Sequence, residues 1–541
     1  MSKLHDAAAR LGLGPEDLIP YGHDLAKIPR SILDRPATGK GKLVLVSAMT
    51  PTPAGEGKTT TSIGIVQGLT RIGEKACAAL REPSLGPCFG IKGGGTGGGQ
   101  SMLEPSVKIN LHCTGDLHAV TAAHNLLAAL VDKHLHFRQE PRIDARKVVW
   151  KRVLDVNDRA LRGMLVGTGG EGQVRETGFD ITAASEVMAA LCMAEGIDDM
   201  RERLSRIIVA FDEDRQPVTA GDLKAAGAML ALLKDAMNPN LVRTTEGAPA
   251  IIHGGPFANI AHGCNSVTAT RMAMHLSDWV ITEAGFGFAL GAEKFVHVKC
   301  RQADLQPQAV VIVATVRALK YHGGLEMKEL PEPNVGAIAA GFPNLAKHVE
   351  SARAMGLRPL VAINRRFDDS DEEIAEVIRL CSDFGVKCVA SDHFAQGGAG
   401  AEDLARALVE LVDSEPAPPL DFLYDLDDPL PKKVEAVAKT VYGASEVRFE
   451  RKAMLQLGRI KRLGLEGLPV CMSKTQSSLS DNAKLRGRPE GFTITVRELE
   501  IAAAAGFIVA LTGKLVRMPG LGRRPQSEKV DLVDGEIVGI G

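Results

Sequence analysis

The chain has 541 residues, of which 45% are hydrophobic and 24% are charged, with a formal net charge of −2. This length predicts two to four domains, and a balanced charge with only 4% aromatic residues argues against nucleic-acid partners. No apolar run reaches the roughly 20 residues of a membrane span, and the start lacks a secretory signal. The nine cysteines are scattered without a CxxC pair, which argues against disulfides or structural zinc and favours a cytoplasmic location.

After a helical lead-in over residues 1–40, short apolar runs alternate with amphipathic helical stretches. The first run is Lys42-Leu-Val-Leu-Val-Ser-Ala-Met, and helices are predicted over 371–384 and 401–413. This alternation is typical of an α/β fold with a mostly parallel sheet. Further buried strands are predicted to begin at Arg206, Trp279, Ala309, Pro359 and Gly385.

Two proline-rich stretches divide the pattern. Leu330-Pro-Glu-Pro-Asn indicates a change of subdomain, and the prolines between Ser414 and Pro431 read as a linker or a long surface connection. The predicted domains are therefore 1–330, 331–425 and 426–541. In the last of these, we expect helix over 432–464 and strands at 492–496 and 506–511.

A phosphate-binding loop is predicted directly after the first strand. Its backbone N–H groups, together with the positive end of the helix that follows, would surround phosphates. Lys58 would reach the β and γ oxygens of ATP, and the Thr59 hydroxyl could ligate Mg²⁺. Thr52 stands where the strict motif has its first glycine. A chance glycine turn is the alternative, and the apolar helix that follows disfavours it. The predicted ATP-binding residues are Thr52, Pro53, Ala54, Gly55, Glu56, Gly57, Lys58 and Thr59.

Two charged residues at strand ends are further candidates. Arg81 follows a short apparent strand, where its planar guanidinium would face a ligand crevice and suit a carboxylate or phosphate. A surface ion pair with Glu82 is an equally good interpretation of the residues alone. Glu283 follows the strand at Trp279, where a phosphate-binding enzyme often places an acid that faces Mg²⁺. Thr282 could occupy that position instead.

Two glycine-rich segments leave alternatives open. The run Gly93–Gly99 either lets backbone approach a neighbour closely or is mobile, and mobility is the commoner explanation. The segment from His253 to Cys264 invites a metal-site interpretation. Its spacing fits no defensible zinc pattern, so packing of a glycine-rich loop is favoured.

Taken together, these segments resemble the formate–tetrahydrofolate ligase family. The resemblance spans nearly the whole chain, and the long segment at His253 is highly specific. The motifs that carry it are Thr-Pro-Ala-Gly-Glu-Gly-Lys-Thr-Thr-Thr (52–61), Arg-Glu-Pro-Ser-Leu-Gly-Pro (81–87), Thr-Gly-Asp-Leu-His-Ala-Val-Thr-Ala-Ala-His-Asn-Leu-Leu (114–127), Glu-Thr-Gly-Phe-Asp-Ile-Thr (176–182), His-Gly-Gly-Pro-Phe-Ala-Asn-Ile-Ala-His-Gly-Cys-Asn-Ser (253–266), Thr-Glu-Ala-Gly-Phe-Gly (282–287), Phe-Thr-Ile-Thr-Val-Arg-Glu (492–498) and Met-Pro-Gly-Leu (518–521).

The resemblance implies a monofunctional ligase with a P-loop NTPase-like sheet core and additional smaller α/β domains. Formate would attack the γ-phosphate of MgATP, and the N10 amine of tetrahydrofolate would then take the formyl group from formyl phosphate. Lys58 matches the family's P-loop lysine, and Arg81 matches the arginine that holds formate and formyl phosphate. Family members are typically homotetramers and are activated by a monovalent cation such as K⁺ or NH₄⁺.

The departures from the family pattern concern the folate pocket. The tryptophan expected to stack on the pterin is Phe394 here, and its phenylalanine partner falls at Arg366 or Phe367, depending on register. Two alternatives to the ligase therefore stay open: a paralogue that formylates a different acceptor, and a nucleotide-binding regulator without ligase activity. Other family positions that differ are Gln100, Val107, Lys108, Ser477, Leu479 and Asn482.

Overall fold

A twelve-stranded sheet organises the chain. The structure is a computed structural model, and it describes residues 3–90, 94–170, 172–513 and 516–540. Within these ranges, none of the helices combines the length and the apolar character needed to cross a membrane. The eight strands that position the site are β1 (Lys42–Ala48), β2 (Ala76–Leu80), β3 (Asn240–Thr244), β4 (Pro249–Ile252), β5 (Trp279–Glu283), β6 (Ala309–Ala314), β7 (Pro359–Asn364) and β8 (Cys388–Ser391).

These strands lie in the order β3-β4-β2-β5-β1-β6-β7-β8. All neighbours from β4 to β8 are parallel, and only β3 runs antiparallel to its neighbour β4. The prediction of an α/β fold with a large, mostly parallel sheet is therefore confirmed. Four short strands complete the sheet near β3: Ile19–Pro20, Ala26–Lys27, Gly97–Gly98 and Ser101–Glu104.

Both faces of the sheet are covered, which explains why its strands read as unbroken apolar runs. Leu43 and Leu45 of β1 point into one core cluster, whereas Val44 and Val46 point into another on the opposite face. All four side chains are fully buried. The helices of eight or more residues are Lys3–Arg10, Lys58–Arg71, Asp116–His136, Glu186–Met193, Ile197–Ser205, Ala226–Leu233, Val267–Leu276, Val335–Ala354, Asp371–Asp383, Glu402–Ser414, Leu430–Val437 and Arg451–Arg462.

One predicted strand belongs elsewhere. The apolar run that begins at Arg206 does form a strand, Ile208–Asp212, but it lies in a separate antiparallel sheet with Ile143–Val148 and Pro217–Thr219. The prediction of a buried strand here is confirmed, and its antiparallel partners could not be predicted, because an apolar run records burial and not the identity of its partners. The other small sheets pair Arg152–Leu154 with Phe179–Ile181, Met164–Val166 with Arg175–Thr177, Glu446–Phe449 with Thr493–Val496, Phe507–Leu511 with Val470–Ser473 and Glu498–Ala502, and Asp531–Val533 with Glu536–Val538.

The predicted helix over 432–464 is also interrupted. Helix Leu430–Val437 continues as a π-helical turn over Ala438–Tyr442 and then stops at Gly443. Gly443 has φ of +79°, the left-handed conformation in which glycine commonly ends a helix. The strand Glu446–Phe449 follows before the helix Arg451–Arg462 begins.

Parallel strands end at a common edge, and this edge carries the candidate residues. The phosphate-loop candidate follows β1, Arg81 follows β2, and Glu283 is the last residue of β5. Strands β6 and β7 flank the proline-rich segment at 330 in sequence, yet they are direct neighbours, with Val310 opposite Pro359.

Candidate active site

The loop after β1 folds as a tight turn onto the helix Lys58–Arg71. Gly55 and Gly57 both adopt left-handed φ values, +79° and +74°. At Gly57 a side chain would also collide with a neighbour, since an added Cβ would lie 2.4 Å from Asn364 Nδ2. The helix begins at Lys58, so its positive end faces the loop. This geometry is that of an anion-binding turn.

A buried carboxylate holds this turn in place. Glu56 is only 2% exposed. One of its carboxylate oxygens accepts a hydrogen bond from the Thr52 backbone N–H at 2.6 Å, and the other accepts one from the Thr315 hydroxyl. The Asn364 side chain donates to the Glu56 backbone carbonyl at 3.0 Å. Glu56 therefore ties the loop to the ends of β6 and β7, and its carboxylate is not directed at phosphate.

The first helical turn meets the end of β5. The Thr59 hydroxyl donates to Glu283 Oε2 at 2.8 Å, and Glu283 is nearly buried. Thr282 faces elsewhere, because its hydroxyl donates to the Ala79 carbonyl at 2.8 Å. Of the two possible registers, Glu283 is thus the residue that meets the loop. A hydroxyl and a carboxylate side by side are oxygen ligands of the kind that suits Mg²⁺.

Arg81 reaches the same place from β2. Its Nη2 lies 3.7 Å from Glu283 Oε1, and its Nη1 donates to the Pro256 carbonyl at 3.3 Å. The Nε of Arg81 is buried and has no hydrogen-bond partner within the described residues. With 22% of its side chain exposed, Arg81 keeps donor capacity toward the open edge of the sheet.

Glu82 does not form the surface ion pair that the sequence allowed. Its side chain is only 4% exposed, and burial together with the nearby Asp116 carboxylate raises its pKa well above the ordinary value. Asp116 in turn forms a buried ion pair with Lys27 at 2.8 Å. Arg81 and Glu82 therefore point to different surroundings and do not pair with each other.

The glycine-rich segment at His253 packs as a loop against these residues. The His253 ring lies 2.7 Å from the Ser266 hydroxyl and 2.6 Å from the Ala236 carbonyl, and burial lowers its pKa to about 4. A Cβ on Gly255 would lie 2.3 Å from the Glu82 carbonyl oxygen. No set of three potential metal ligands occurs in the part of the chain that the structure describes. These contacts are those of a packed loop.

The predicted folate-binding residues follow β7 and β8. These strands are paired with Asn364 opposite Ser391, and Phe367 and Phe394 each come three residues later. Phe367 is 96% exposed and Phe394 is 54% exposed. The charged alternative, Arg366, lies with its Nε 3.4 Å from the Asp368 carboxylate. Two exposed aromatic rings thus lie beyond adjacent strand ends.

The glycine run packs against Phe394. The Gln100 backbone N–H donates to the Phe394 carbonyl at 2.8 Å, and a Cβ on Gly99 would lie 2.1 Å from that oxygen. Gly97–Gly98 pairs with Ser101–Met102 as a small hairpin. These contacts support close approach of the backbone, the less common of the two interpretations. Gly93 lies outside the described residues.

Comparisons with known proteins identify the family of the chain. The family model described as formate–tetrahydrofolate ligase matches residues 1–541. The chain belongs to the formate–tetrahydrofolate ligase family. A curated protein named formate–tetrahydrofolate ligase from Zymomonas mobilis subsp. mobilis is 51% identical over 544 residues, covering 100% of this chain and 98% of that relative.

Sequence reasoning found the residues of the ligase-family motifs but missed their supports. Thr315 and Asn364 hold the loop after β1 from the ends of strands far away in sequence, and neither carries a motif of its own. The one available signal was Glu56 inside the glycine turn. A carboxylate is an unfavourable neighbour for phosphate, so its presence there indicates that it binds other groups of the protein.

The contacts of Glu56 generate the first prediction. We expect Glu56→Ala to raise the KM for ATP about 10-fold or more, because hydrogen bonds to a charged group contribute roughly 1.5–3 kcal/mol and here they shape the loop. Steady-state kinetics with varied MgATP measures this. Glu410→Ala, at an exposed acid paired with Lys387, is the control. An unchanged KM for ATP in the Glu56 variant would contradict the anchoring role.

Proposed function

We propose that this chain carries out its family's reaction, ATP-dependent ligation of formate to tetrahydrofolate, through formyl phosphate formed at the carboxyl edge of the sheet. The observation that carries the proposal is the meeting of three strand ends. The Thr59 hydroxyl lies 2.8 Å from the Glu283 carboxylate, and the Arg81 guanidinium lies 3.7 Å from the same carboxylate. A phosphate-binding turn, a carboxylate and a fork-shaped cation therefore share one small volume.

The nucleotide belongs on the turn in front of the helix, in a P-loop NTPase-like core. Backbone N–H groups and the helix end would surround the phosphates, and Lys58 at the first helical position would compensate charge on the transferred group. The oxygen pair of Thr59 and Glu283 fits Mg²⁺, which when bound would neutralise phosphate charge.

Arg81 is proposed to hold formate. A planar guanidinium matches the two oxygens of a carboxylate and later those of a phosphate. One formate oxygen attacks the γ-phosphorus, and the bond from that phosphorus to the β–γ bridging oxygen breaks, which releases ADP. The N10 amine of tetrahydrofolate then attacks the formyl carbon, the bond to the phosphate oxygen breaks, and N10 loses a proton. Both steps depend chiefly on alignment and charge neutralisation.

The acceptor is proposed to bind beyond β7 and β8, with Phe394 on one face of the pterin and Phe367, or in the alternative register Arg366, opposite it. This would make 331–425 the acceptor part, beside a nucleotide and formate part over 1–330 and a C-terminal part over 426–541. The family resemblance is the support for a homotetramer and for activation by K⁺ or NH₄⁺. A cytoplasmic location is also proposed, in keeping with nine cysteines that are all free thiols.

An assay with ATP, formate and tetrahydrofolate, each omitted in turn, tests the function. The ligase forms ADP, phosphate and 10-formyltetrahydrofolate only when all three are present. ADP formation that requires formate but not tetrahydrofolate would favour the paralogue with another acceptor. The presence of Phe394 in place of the family's tryptophan is the reason to test for it. ATP binding without turnover under any condition would favour the regulator.

Lys58→Ala tests the nucleotide site. We expect kcat to fall by roughly 10²-fold or more, because the ammonium that balances charge on the transferred phosphoryl group is removed. Circular dichroism should show an unchanged fold. Turnover near the wild-type rate at saturating MgATP would refute the assignment.

Arg81→Lys tests the formate site while it retains the charge. A point ammonium cannot reproduce a two-pronged grip, so we expect a loss of roughly 10²-fold in kcat with a modest change in the KM for ATP. Measurements with formate and ATP varied separately would show this split. A lysine variant as active as the wild type would leave Arg81 with no role in the reaction.

Phe394 is the test of the acceptor site. Phe394→Trp should lower the KM for tetrahydrofolate and Phe394→Ala should raise it, each several-fold, because a change of stacking face alters the free energy of binding by about 1 kcal/mol. The KM values for ATP and formate should stay almost unchanged. Phe137→Ala, at an exposed ring on the helix end at His136, is the control. If neither Phe394 variant differs from this control, Phe394 does not line the site.

A further inference from the structure

Two fully buried lysines lie behind the loop that contacts Arg81. Lys294 Nζ donates to the carbonyls of Ala258 and Met472. Lys299 Nζ donates to the backbone carbonyl and side-chain oxygen of Asn265 and to the Thr270 hydroxyl, each at 2.8 Å. Neither lysine forms an ion pair with any carboxylate of the described residues. Burying a cation against neutral oxygens alone costs free energy, so a structural reason for both is needed.

The local helix geometry explains how both lysines face one loop. Between Lys294 and Arg301 the chain forms a π-helical turn over Phe295–Cys300. In an α-helix residues three and four apart share a face, whereas the i→i+5 bonding of a π-turn brings residues five apart together. Lys294 and Lys299 are five apart. The widened turn therefore presents two ammonium groups to the same segment, residues 256–266, which we name the Arg81 loop.

The Lys294 end of the Arg81 loop leads directly to the guanidinium. Lys294 holds the Ala258 carbonyl, two residues after Pro256, whose own carbonyl accepts from Arg81 Nη1 at 3.3 Å. Ala258 also packs under Gly285, where an added Cβ would lie 2.7 Å from the Ala258 Cβ and 3.1 Å from Arg81 Nη1. A shift of Ala258 would therefore displace the groups that contact the guanidinium.

The Lys299 end of the loop leads to the carboxylate. Lys299 holds Asn265, whose side-chain oxygen also lies 3.1 Å from the Thr282 hydroxyl. Thr282 precedes Glu283, the residue that meets both Thr59 and Arg81. Lys294 is thus connected to Arg81 through Ala258 and Pro256, and Lys299 is connected to Glu283 through Asn265 and Thr282.

The positive charge of the pair extends into the loop. His262 is fully buried, neither of its ring nitrogens has a partner within the described residues, and its pKa is lowered to about 3. Burial is the main cause, and the charges of Lys299, Lys294 and Arg81 act in the same direction. Lys299, Lys294 and Arg81, together with Arg203, therefore place positive charge around the buried His262 ring.

We propose that Lys294 and Lys299 are positioning residues for the formate half of the reaction. Presented together by the π-turn, they fix the two ends of the Arg81 loop and so set the orientation of Arg81 against Glu283. The inference rests on the proposed role of Arg81. It assigns to the π-turn and its two lysines a part in formate activation.

The test compares Lys294→Met and Lys299→Met with Lys433→Met in the full-length enzyme. Lys433 is the matched control, since it too is fully buried and donates only to carbonyls, those of Leu426, Glu466 and Leu468. All three variants should lose thermal stability. Only Lys294→Met and Lys299→Met should also lose kcat/KM for formate, on the order of 10- to 100-fold, the scale that misplaced catalytic groups produce. The KM for ATP should stay within about twofold of the wild type.

Equal losses of stability with formate kinetics like those of Lys433→Met would overturn the proposal and leave the lysines a purely structural role. If the methionine variants do not fold, Thr270→Val and Thr270→Ser replace them, because valine removes one acceptor of Lys299 and serine retains it. The valine variant should then show a several-fold lower kcat/KM for formate, with recovery in the serine variant. Identical kinetics for the two Thr270 variants would overturn the proposal.

Arg81→Lys separates this inference from the function beneath it. If Arg81→Lys loses formate turnover while both methionine variants keep it, positioning is refuted and the role of Arg81 stands. If Arg81→Lys is as active as the wild type, the role of Arg81 fails and positioning fails with it. If all three variants are impaired, combining Lys299→Met with Arg81→Lys should give less than the product of the single losses, as expected for residues that act through one another.

Discussion

The common direction of seven neighbouring strands is the constraint on which the site depends. Both faces of the sheet are packed against apolar side chains, so the strands themselves can carry little polar chemistry. Polar residues can be placed only where strands end, and a parallel sheet puts those ends on one edge. Residues as distant in sequence as Thr59, Arg81 and Glu283 become neighbours for that reason.

Buried charge then fixes what the sheet brings together. The Glu56 carboxylate accepts hydrogen bonds from Thr52 and Thr315 and so fixes the loop after β1. The ion pair of Lys27 and Asp116 lies close to the buried Glu82. Each of these groups is costly to bury and each is bonded to backbone or to a partner, which makes the arrangement rigid. Rigidity suits a reaction whose steps depend on alignment more than on proton transfer.

The sequence predicted the elements that depend on residues close together in the chain. The strand, turn and helix from Lys42 to Arg71 and the helices at Asp371 and Glu402 were predicted from periodicity and glycine placement, and the structure confirms them. Pairing is not local, so the run at Arg206 predicted a strand but not its antiparallel partners. The short strand Glu446–Phe449 was hidden inside a helical pattern, although Gly443 marked the break. Thr315, Asn364 and the π-turn carry no local signature, because their importance comes from contacts with residues far along the chain.

The hairpin at Gly97–Gly98 separates the Phe394 ring from the helix Lys58–Arg71 by bare backbone. A Cβ on Gly98 would lie 3.1 Å from the Phe394 ring and 3.8 Å from the Thr60 hydroxyl, and one on Gly97 would lie 2.7 Å from Ile63. The distance between the Phe394 ring and this helix is therefore set by the thickness of a single peptide layer. Tolerance to mutation is correspondingly unequal. The side chain at position 394 can vary in size, whereas any side chain added at Gly97 or Gly98 would push the ring and the helix apart.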